Sequence, residues 1–263
     1  MDLGLKDKVA IVTGGSEGIG KAAASSMAQE GASVVICARR KDVLEAAATD
    51  IRRKTGGKVL PIQADVSIPA DIERVVNTTV QTFGRLDIVV NNAGTSAAGS
   101  FEAVDDEAWR VDMDLKFYAA VRLSRAAIPH MKRAGGGRII NVTNLGGKQP
   151  GPSSVPTSVS RAAGIALTKA MSKDLAQHNI LVNTVCIGLI KSGQHERRYG
   201  QAKAQNPSLS LEQFYAQRAQ GVPLHRYGEA MEAGDVICFL ASGRASYLTG
   251  TSINIDGGTS AVV

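Results

Sequence analysis

A glycine-rich turn near the start of the chain limits what this sequence can fold into. Segment 13–20 reads Thr-Gly-Gly-Ser-Glu-Gly-Ile-Gly and stands between an apolar run at 9–12 and an alanine-rich stretch. The apolar run predicts a short buried strand, and the alanine-rich stretch predicts a helix. Because the free amides and the positive dipole end of a helix N-terminus stabilise an anion, the segment predicts a phosphate-binding turn; an ordinary loop is the alternative.

Three glycines of this turn fit the roles of a dinucleotide-binding fingerprint. Gly14 fits a tight turn, Gly18 leaves space beside a pyrophosphate, and Gly20 lets the helix pack close to the strand. The spacing, Gly-x-x-x-Gly-x-Gly, differs slightly from the common one. The nucleotide-binding residues predicted from the turn are Gly14, Ser16, Glu17, Gly18, Ile19 and Gly20.

Length and composition predict one large domain and exclude several classes of function. The chain has 263 residues, of which 44% are hydrophobic, enough for one substantial core. The formal charge of +6 comes with only 4% aromatic residues and without long Lys/Arg runs, so we expect no nucleic-acid partner. Because the sequence contains neither a run of about 18 apolar residues nor a signal-peptide core, we expect a cytoplasmic protein without membrane contact.

The cysteines bear on the redox environment. Cys37, Cys186 and Cys238 are far apart, and each lies within an apolar segment. An odd number at such spacing predicts buried, reduced thiols. The spacing also matches no metal-binding motif.

Strands and helices alternate along the rest of the chain. Runs such as 34–36 and 88–90 are continuously apolar, which indicates strands buried on both faces of a parallel sheet. With right-handed crossovers, the predicted fold is α/β, a single doubly wound Rossmann domain with helices on both faces. The predicted strands are 9–12, 33–37, 58–63, 86–91, 138–142, 180–186 and 252–255. The predicted helices are 20–30, 41–54, 70–83, 107–133, 157–177 and 229–241, with Asp105 as the N-cap before the fourth.

Residues that follow the second, third and fourth predicted strands bear on the ligand. Arg39 and Arg40 stand where dinucleotide folds distinguish a free ribose from a 2′-phosphorylated one. Guanidinium groups pair bidentately with phosphate, so NADP is favoured over NAD; a solvated charge pair at a helix start is the alternative. Asp65 is either an acceptor for the adenine amine or a turn aspartate. Segment 91–94, Asn-Asn-Ala-Gly, fits the crevice where such folds bind ligands.

Three motifs together resemble the short-chain dehydrogenase/reductase family. They are Thr-Gly-x-x-x-Gly-x-Gly at 13–20, Asn-Asn-Ala-Gly at 91–94 and Asp-Gly-Gly at 256–258, and the resemblance spans nearly the whole chain. It implies a seven-stranded Rossmann sheet, NAD(P) as cofactor, and a homotetramer or homodimer in which helices 107–133 and 157–177 pair between subunits. It further implies nucleotide contacts from Val66, Asn92, Ala93, Gly94, Arg161, Gly188 and Ile190.

Helix 157–177 has small residues that permit a close approach of another helix. Pairing between subunits and packing on the chain's own sheet explain them equally well. These residues are Ala162, Ala163, Gly164, Ala166 and Ala170.

The residues that perform the family's chemistry are substituted in this sequence. In the family a tyrosine exchanges the proton, a lysine four residues later binds the ribose, and a serine and an asparagine complete the site. Aligned on that pattern, Thr157 takes the tyrosine position and Arg161 the lysine position. Asn144, or Thr143 beside it, takes the serine position, and Asp114 takes the asparagine position. None of the five tyrosines lies near Arg161 in the sequence.

These substitutions change the available chemistry. A threonine hydroxyl is far less acidic than a phenol, and an arginine stays protonated and cannot relay a proton. We hypothesise that Asp114 and Arg161 form an ion pair, because either charge buried alone is costly. Asn144 is expected to donate its amide to a substrate oxygen. Lys148, in the loop that lines the family's substrate pocket, is the nearest ionisable candidate for the proton donor, although loop lysines are more often solvated.

The polar segment 191–226 corresponds to the family's substrate lid. It holds six Lys or Arg and two acidic residues, which favours an anionic small-molecule substrate such as a carboxylate or a carrier thioester. A solvated basic surface is the alternative. His195 and Tyr199 are further acid/base candidates if the lid closes over the nicotinamide.

The sequence therefore predicts an NADP-dependent oxidoreductase that acts on a carbonyl or alcohol and uses a non-standard proton donor. Two alternatives remain. One is a cofactor-binding pseudo-subunit that pairs with a catalytically intact homologue, which the substitutions permit. The other is a non-redox lyase or hydratase that uses the same crevice.

Overall fold

The computed structural model describes residues 2–263 and contains a seven-stranded parallel sheet with helices on both faces. The strands are β1 (Val9–Thr13), β2 (Ser33–Ala38), β3 (Val59–Gln63), β4 (Ile88–Asn91), β5 (Gly137–Asn144), β6 (Ile180–Ile187) and β7 (Ser252–Ile255). The helices are α1 (Gly18–Gln29), α2 (Lys41–Thr55), α3 (Pro69–Phe83), α4 (Asp106–Met113), α5 (Ala119–Arg133), α6 (Thr157–Leu175), α7 (Gly193–Gln205), α8 (Leu211–Arg218) and α9 (Ala230–Ala241).

The strand order places a ligand crevice at the middle of the sheet. The order is β3-β2-β1-β4-β5-β6-β7, and Val12 of β1 pairs with Ile36 of β2 on one side and Val90 of β4 on the other. The chain winds outward from β1 to β3 and then returns to β4, so the direction reverses between β1 and β4. Open α/β sheets bind ligands beyond the carboxyl ends of the strands at this reversal. The predicted doubly wound Rossmann fold is confirmed.

Two apolar layers hold the helices against the sheet. On one face, side chains of α1, α2 and α9 pack on the strands, and Met27, Ile237 and Ile36 belong to the same buried apolar cluster. On the other face, α3 and α5 contribute side chains such as Ile72 and Leu123. Each fully buried aliphatic side chain stabilises the fold by about 1.5–3 kcal/mol. The strand ends that form the crevice are therefore held on a rigid scaffold.

The sequence predicts one helix over 107–133, and the structure divides it. Asp105 Oδ1 accepts a hydrogen bond from Ala108 N at 2.8 Å, so the predicted N-cap is confirmed. A π-helical turn, Asp114–Tyr118, follows α4 and leads into α5 without a break. A π turn widens the helix locally and changes which side chains face a neighbour, and such turns are frequent at functional sites.

The lid segment 191–226 is more regular than its weak periodicity indicates. It folds into α7 and α8, and α8 starts with a capping box in which Ser210 and Gln213 exchange hydrogen bonds. Each helix buries a single residue, His195 in α7 and Phe214 in α8, so no long apolar stripe marks either helix in the sequence. Aromatic contacts connect the two helices of the lid to each other and to Tyr227, the residue that follows the lid. The lid residues in these contacts are His195, Tyr199, Phe214 and Tyr215.

Three observations apply to the described part of the chain as a whole. The three cysteines are free and buried, as predicted. Within residues 2–263, no helix has both the length and the apolar character needed to cross a membrane. The same range holds no group of three or more His, Cys, Asp or Glu side chains arranged for a metal ion.

Candidate functional site

A crevice of about 1270 Å³ lies at the carboxyl ends of the central strands. Its walls are the glycine turn before α1, the ends of β2 and β3, the segment after β4, the end of β5, the start of α6 and the lid. Pockets for single small molecules measure roughly 300–1,000 Å³. The crevice therefore has room for a dinucleotide and a small substrate.

The glycine turn is held against the segment that follows β4. Gly14 and Gly18 have φ angles of +63° and +53°, which glycine adopts without strain. Thr13 Oγ1 accepts hydrogen bonds from the backbone N–H groups of Asn92 and Ala93 at 2.9 and 3.0 Å. Asn92 Nδ2 donates to the carbonyl oxygens of Thr13 and Gly14 at 2.9 and 3.2 Å. The two motifs therefore form one continuous wall of the crevice.

Most residues predicted to contact the nucleotide line this crevice, and two do not. A Cβ at Gly20 would lie 2.3 Å from the carbonyl oxygen of Gly14, so Gly20 supports the turn from beneath. Ile190 is buried in the core below the crevice. The lining residues among those predicted are Gly14, Ser16, Glu17, Gly18, Ile19, Arg39, Arg40, Asp65, Val66, Asn92, Ala93, Gly94, Arg161 and Gly188.

The two arginines after β2 have different surroundings. Arg40 forms an ion pair with Glu17 at 2.7 Å, and Arg197 of α7 approaches the same carboxylate at 4.0 Å. Arg39 is exposed, and its guanidinium has no hydrogen bond or ion pair to another residue of the described range. Arg40 thus forms the charge pair that the sequence left as an alternative, and Arg39 remains available to a phosphate.

Asp65 forms a turn at the end of β3. Its Oδ1 accepts hydrogen bonds from the backbone N–H and the hydroxyl of Ser67 at 2.9 and 2.7 Å. Asp65 is therefore a turn aspartate, which is the second of the two roles that the sequence left open for it. Because Asp65 and Val66 still line the crevice, a contact with adenine stays a prediction.

Asn144, Thr157 and Arg161 line the end of the crevice away from β3. Arg161 donates from Nη1 to the carbonyl oxygen of Val142 at 2.8 Å, and burial lowers its pKa to about 10. In residues 2–263, Arg161 Nε and Asn144 Oδ1 are buried without a hydrogen-bond partner. Leaving such an atom unpaired costs about 1–3 kcal/mol, so both atoms indicate a site for a polar ligand.

The hypothesised ion pair between Asp114 and Arg161 is wrong. Asp114 accepts a hydrogen bond from Arg122 at 3.1 Å and lies 3.5 Å from Arg110, outside the crevice lining. Successive helical residues are rotated by about 100° around the helix axis, so the side chains of Asp112 and Asp114 point in nearly opposite directions. The carboxylate that faces α6 is that of Asp112, which accepts a hydrogen bond from Ser160 Oγ.

Lys116, which no sequence motif marks as a site residue, lies next to Thr157 at the π turn. Lys116 Nζ forms an ion pair with Asp112, and both side chains are 1% exposed. The same Nζ donates a hydrogen bond to Thr157 Oγ1 at 3.1 Å, and Ser160 Oγ donates to Asp112 at 2.6 Å. An Asp and a Lys four residues apart were visible in the sequence, but that spacing is typical of exposed helix pairs as well. Lys116, not Asp114, is therefore the charged residue of this helical segment that contacts Thr157, which lines the crevice.

Residues 14–260 match the family model described as Enoyl-(Acyl carrier protein) reductase. The chain belongs to the short-chain dehydrogenase/reductase family. A 3-oxoacyl-(acyl-carrier-protein) reductase of Thermotoga maritima is 34% identical to it over 254 residues, which cover 97% of this chain and 98% of that protein. The predicted family is confirmed.

Two solved structures of oxidoreductases are similar to nearly the whole chain. L-Sorbose reductase from Gluconobacter frateurii, in complex with NADPH and L-sorbose, has a TM-score of 0.96 at 34% identity, with 100% of both chains covered. A short-chain oxidoreductase from Pseudomonas aeruginosa PAO1, with NADPH bound and described as containing an atypical catalytic center, has a TM-score of 0.91 at 35% identity, with 99% of both chains covered. The predicted class, an oxidoreductase, agrees with these relatives.

Three other side chains of this short-chain dehydrogenase/reductase differ from expectation. Lys148 Nζ donates to the Ser252 carbonyl oxygen at 2.8 Å and to Asn254 Oδ1 at 2.7 Å, so it is held on β7 outside the crevice lining. Tyr199 donates its hydroxyl to the Leu209 carbonyl oxygen at 3.1 Å, within the lid. Thr143 turns its hydroxyl toward β6. None of the three is therefore placed as a proton donor to a substrate.

The lid presents basic groups to the crevice. Arg198, Arg218 and His195 all line it. Arg218 Nε donates to the Tyr227 hydroxyl at 3.0 Å, and that hydroxyl lies 3.5 Å from His195 Nδ1. Burial, with the nearby Arg198 and Arg218, lowers the pKa of His195 to about 4. His195 is therefore neutral near neutral pH, and the arginines supply the positive charge.

Proposed function

We propose that this short-chain dehydrogenase/reductase is an NADP-dependent oxidoreductase that interconverts a carbonyl and an alcohol with a proton donor other than tyrosine. The observation that carries the proposal is the pair of buried, unpartnered atoms Asn144 Oδ1 and Arg161 Nε. They lie at the end of the crevice away from β3, and the glycine turn after β1 lines the same crevice. The NADPH complexes of the two similar structures support the choice of cofactor.

The chain's own groups divide the task of holding the cofactor. The amides at the start of α1 bind the pyrophosphate, and Arg39 binds the 2′-phosphate. Arg161 donates to ribose hydroxyls, which fits a guanidinium that has a free buried Nε and stays protonated. When bound, NADPH supplies the hydride.

Thr157 and Asn144 bind the substrate oxygen. Both line the crevice beside Arg161, and both carry a group able to donate a hydrogen bond. Donors fixed on β5 and α6 stabilise the negative charge that develops on a carbonyl oxygen during reduction. Threonine is too weak an acid to serve alone, so a proton must reach it from a second group.

The lid favours a substrate with an anionic group. Arg198 lines the crevice without an ion pair among residues 2–263, and Arg218 holds its guanidinium beside Tyr227. Glu17 and Asp65 are the acidic residues of the described lining, and Glu17 is already paired. A carboxylated ketone or a carrier thioester fits these charges better than a cation.

We further propose that the chain forms a homodimer or homotetramer through α4, α5 and α6. Val111 in α4 is 50% exposed, Tyr118 in the π turn before α5 is 45% exposed, and Val159 in α6 is 44% exposed. Ala162, Ala166 and Ala170 continue the exposed face of α6, so packing on the chain's own sheet does not use them. Sedimentation of the purified protein, alone and with a homologous subunit, tests self-association against the pseudo-subunit alternative.

The test of function separates binding from turnover. Fluorescence titrations with NADPH and NADH measure cofactor affinity, and NADPH oxidation is then followed with three substrates: L-sorbose, a ketone with a carboxylate and a 3-oxoacyl thioester. We expect tighter binding of NADPH and turnover with at least one carbonyl substrate. Binding without turnover supports the pseudo-subunit alternative, and no saturable binding of either nucleotide contradicts the proposal.

A further inference from the structure

The hydroxyl oxygen of Thr157 accepts two hydrogen bonds. One comes from the backbone N–H of Ala97 at 3.0 Å and the other from Lys116 Nζ at 3.1 Å. A hydroxyl oxygen has two acceptor lone pairs, and both are used here. The hydroxyl proton is left for a third direction, and Thr157 lines the crevice. Thr157 is thus arranged to donate into the crevice with a lysine directly behind it.

Building on the proposed function, we propose that Lys116 holds the proton that Thr157 delivers to the substrate oxygen. As the carbonyl carbon receives hydride, the C=O π electron pair moves to the oxygen, and this oxygen takes the proton of the Thr157 hydroxyl. One N–H bond of Lys116 breaks in the same step, and its proton replaces the one lost from Thr157 Oγ1. Lys116 becomes a neutral amine. After the product leaves, water in the open crevice returns a proton through the same hydroxyl, and alcohol oxidation runs each step in reverse.

The surroundings of Lys116 suit this role. Burial, together with the Arg161 cation, lowers the pKa of Lys116 to about 8 against the opposing effect of Asp112. The ammonium form therefore predominates near neutral pH but releases its proton more readily than an ordinary lysine. General acids work best when their pKa lies near the working pH.

The charged groups that face Lys116 are few. Asp112 comes from its own helix, and Arg161 comes from α6, where Ser160 also fixes Asp112. A cavity of about 10 Å³ beside Lys116 is otherwise lined by uncharged residues: Thr13, Val66, Asn91, Ala93, Leu115, Ala119 and Ala120. The titration of Lys116 thus depends on burial, one anion and one cation.

The alternative role for Lys116 is purely structural. In that case its ammonium group only neutralises the charge of the buried Asp112 carboxylate. Removing one partner of a buried pair leaves an uncompensated charge and is strongly destabilising, whereas removing both is often neutral. The double variant Lys116→Met/Asp112→Asn therefore distinguishes the two roles.

The first measurement follows the proton directly, without cofactor or substrate. The protein is labelled with ¹³C at the lysine Cε positions, and NMR records each signal as the pH is raised. We expect one signal with a midpoint near 8, absent from the Lys116→Arg variant, while the ordinary lysine value is 10.5. If no Lys116-dependent signal titrates well below the ordinary value, the proposal is overturned.

The second measurement is the pH profile of carbonyl reduction. In the wild type we expect kcat to fall as the pH rises through about 8, because the required acid is lost. Lys116→Arg keeps the positive charge but cannot release a proton, so we expect kcat to fall by about 100-fold or more and the alkaline limb to disappear. Lys58→Met, a change at an exposed lysine just before β3, is the matched control and should keep both rate and profile.

The outcomes separate this inference from the proposed function. If Lys116→Met/Asp112→Asn folds and stays slow, the proton role is supported; if it recovers the wild-type rate, the ion pair is structural and the proposal fails. If Lys116→Arg keeps the wild-type rate and pH profile, the proton-donating role of Lys116 is overturned and the proposed NADPH-dependent activity stands. A wild type that binds NADPH but reduces no carbonyl overturns both.

Discussion

Lys116 Nζ lies 3.1 Å from Thr157 Oγ1, and this contact joins the π turn before α5 to the first residue of α6. The two segments are 41 residues apart in the chain. Their meeting point lies beside the two unpartnered atoms of Asn144 and Arg161 at the substrate end of the crevice. The site thus carries the Thr157 hydroxyl and the Arg161 guanidinium where the family has a tyrosine and a lysine, with the buried Lys116 ammonium group directly behind the hydroxyl.

Removing the hydroxyl of Thr157 should abolish most of the activity. Thr157→Val keeps the shape of the side chain but breaks the path to the substrate oxygen, so we expect kcat to fall by about 10²–10⁴-fold. Thr157→Ser keeps the hydroxyl and should retain most of the rate. Steady-state kinetics measures both variants, and an unchanged NADPH dissociation constant verifies that the cofactor end is intact. Equal rates for the Val variant and the wild type would exclude Thr157 as the donor.

Arg39 should set the preference for NADPH over NADH. Its guanidinium is free in this structure, and charge-assisted hydrogen bonds contribute about 1.5–3 kcal/mol each. We expect Arg39→Gln to weaken NADPH binding by about 10- to 100-fold, the same range converted to an equilibrium constant, and to leave NADH binding unchanged. Fluorescence titration measures both.

Arg40→Gln is the matched control for Arg39, because Arg40 is already paired with Glu17. We expect it to change NADPH affinity less than Arg39→Gln does. If the effects of the two variants are reversed, Arg40 rather than Arg39 recognises the 2′-phosphate.

The glycine turn and the caps could be predicted from local sequence, whereas contacts between separate βα units and the orientation of the helix before α5 could not. The glycine turn and its helix follow from a short motif, and Asp105 caps α4 through contacts within one turn. The partner of Arg40 lies in a different βα unit, and the roles of Asp112 and Asp114 depend on the rotation of the helix around the π turn. Residue spacing along the sequence indicates neither the partner of Arg40 nor the directions in which Asp112 and Asp114 point. The identity of the buried acid therefore required the tertiary structure.

Gly20 should tolerate no side chain. A Cβ there would meet the Gly14 carbonyl oxygen at 2.3 Å and Asn92 Nδ2 at 2.4 Å, so the turn must shift. Overpacking of this kind costs about 1–3 kcal/mol, and we expect Gly20→Ala to lower the free energy of unfolding by that amount and to weaken NADPH binding. Urea denaturation and NADPH titration measure the two effects.

Gly200 provides the matched control for Gly20. It also lies within a helix, and a Cβ there would meet no atom within 4 Å. Gly200→Ala should stabilise the protein by about 0.5–1 kcal/mol, because alanine loses less backbone entropy than glycine in a helix. A Gly20→Ala variant with wild-type stability and NADPH affinity would show that the turn has room that this structure does not contain.

His195 should make the protein less stable in acid. Its pKa is about 4 in the folded state and 6.5 in its ordinary state, so between these values the unfolded chain binds the proton and the folded chain does not. Stability from this group is therefore complete above about 6.5 and is lost as the pH falls toward 4. Each pH unit of that window is worth about 1.4 kcal/mol, so we expect a loss on the order of 2–3 kcal/mol. The variant His195→Asn keeps a polar group near Tyr227 but does not titrate. Between pH 6.5 and 4 its free energy of unfolding should therefore decrease by about 2–3 kcal/mol less than that of the wild type, as measured by urea denaturation at each pH. Parallel pH curves for the two proteins would mean that the folded protein does not hold His195 neutral.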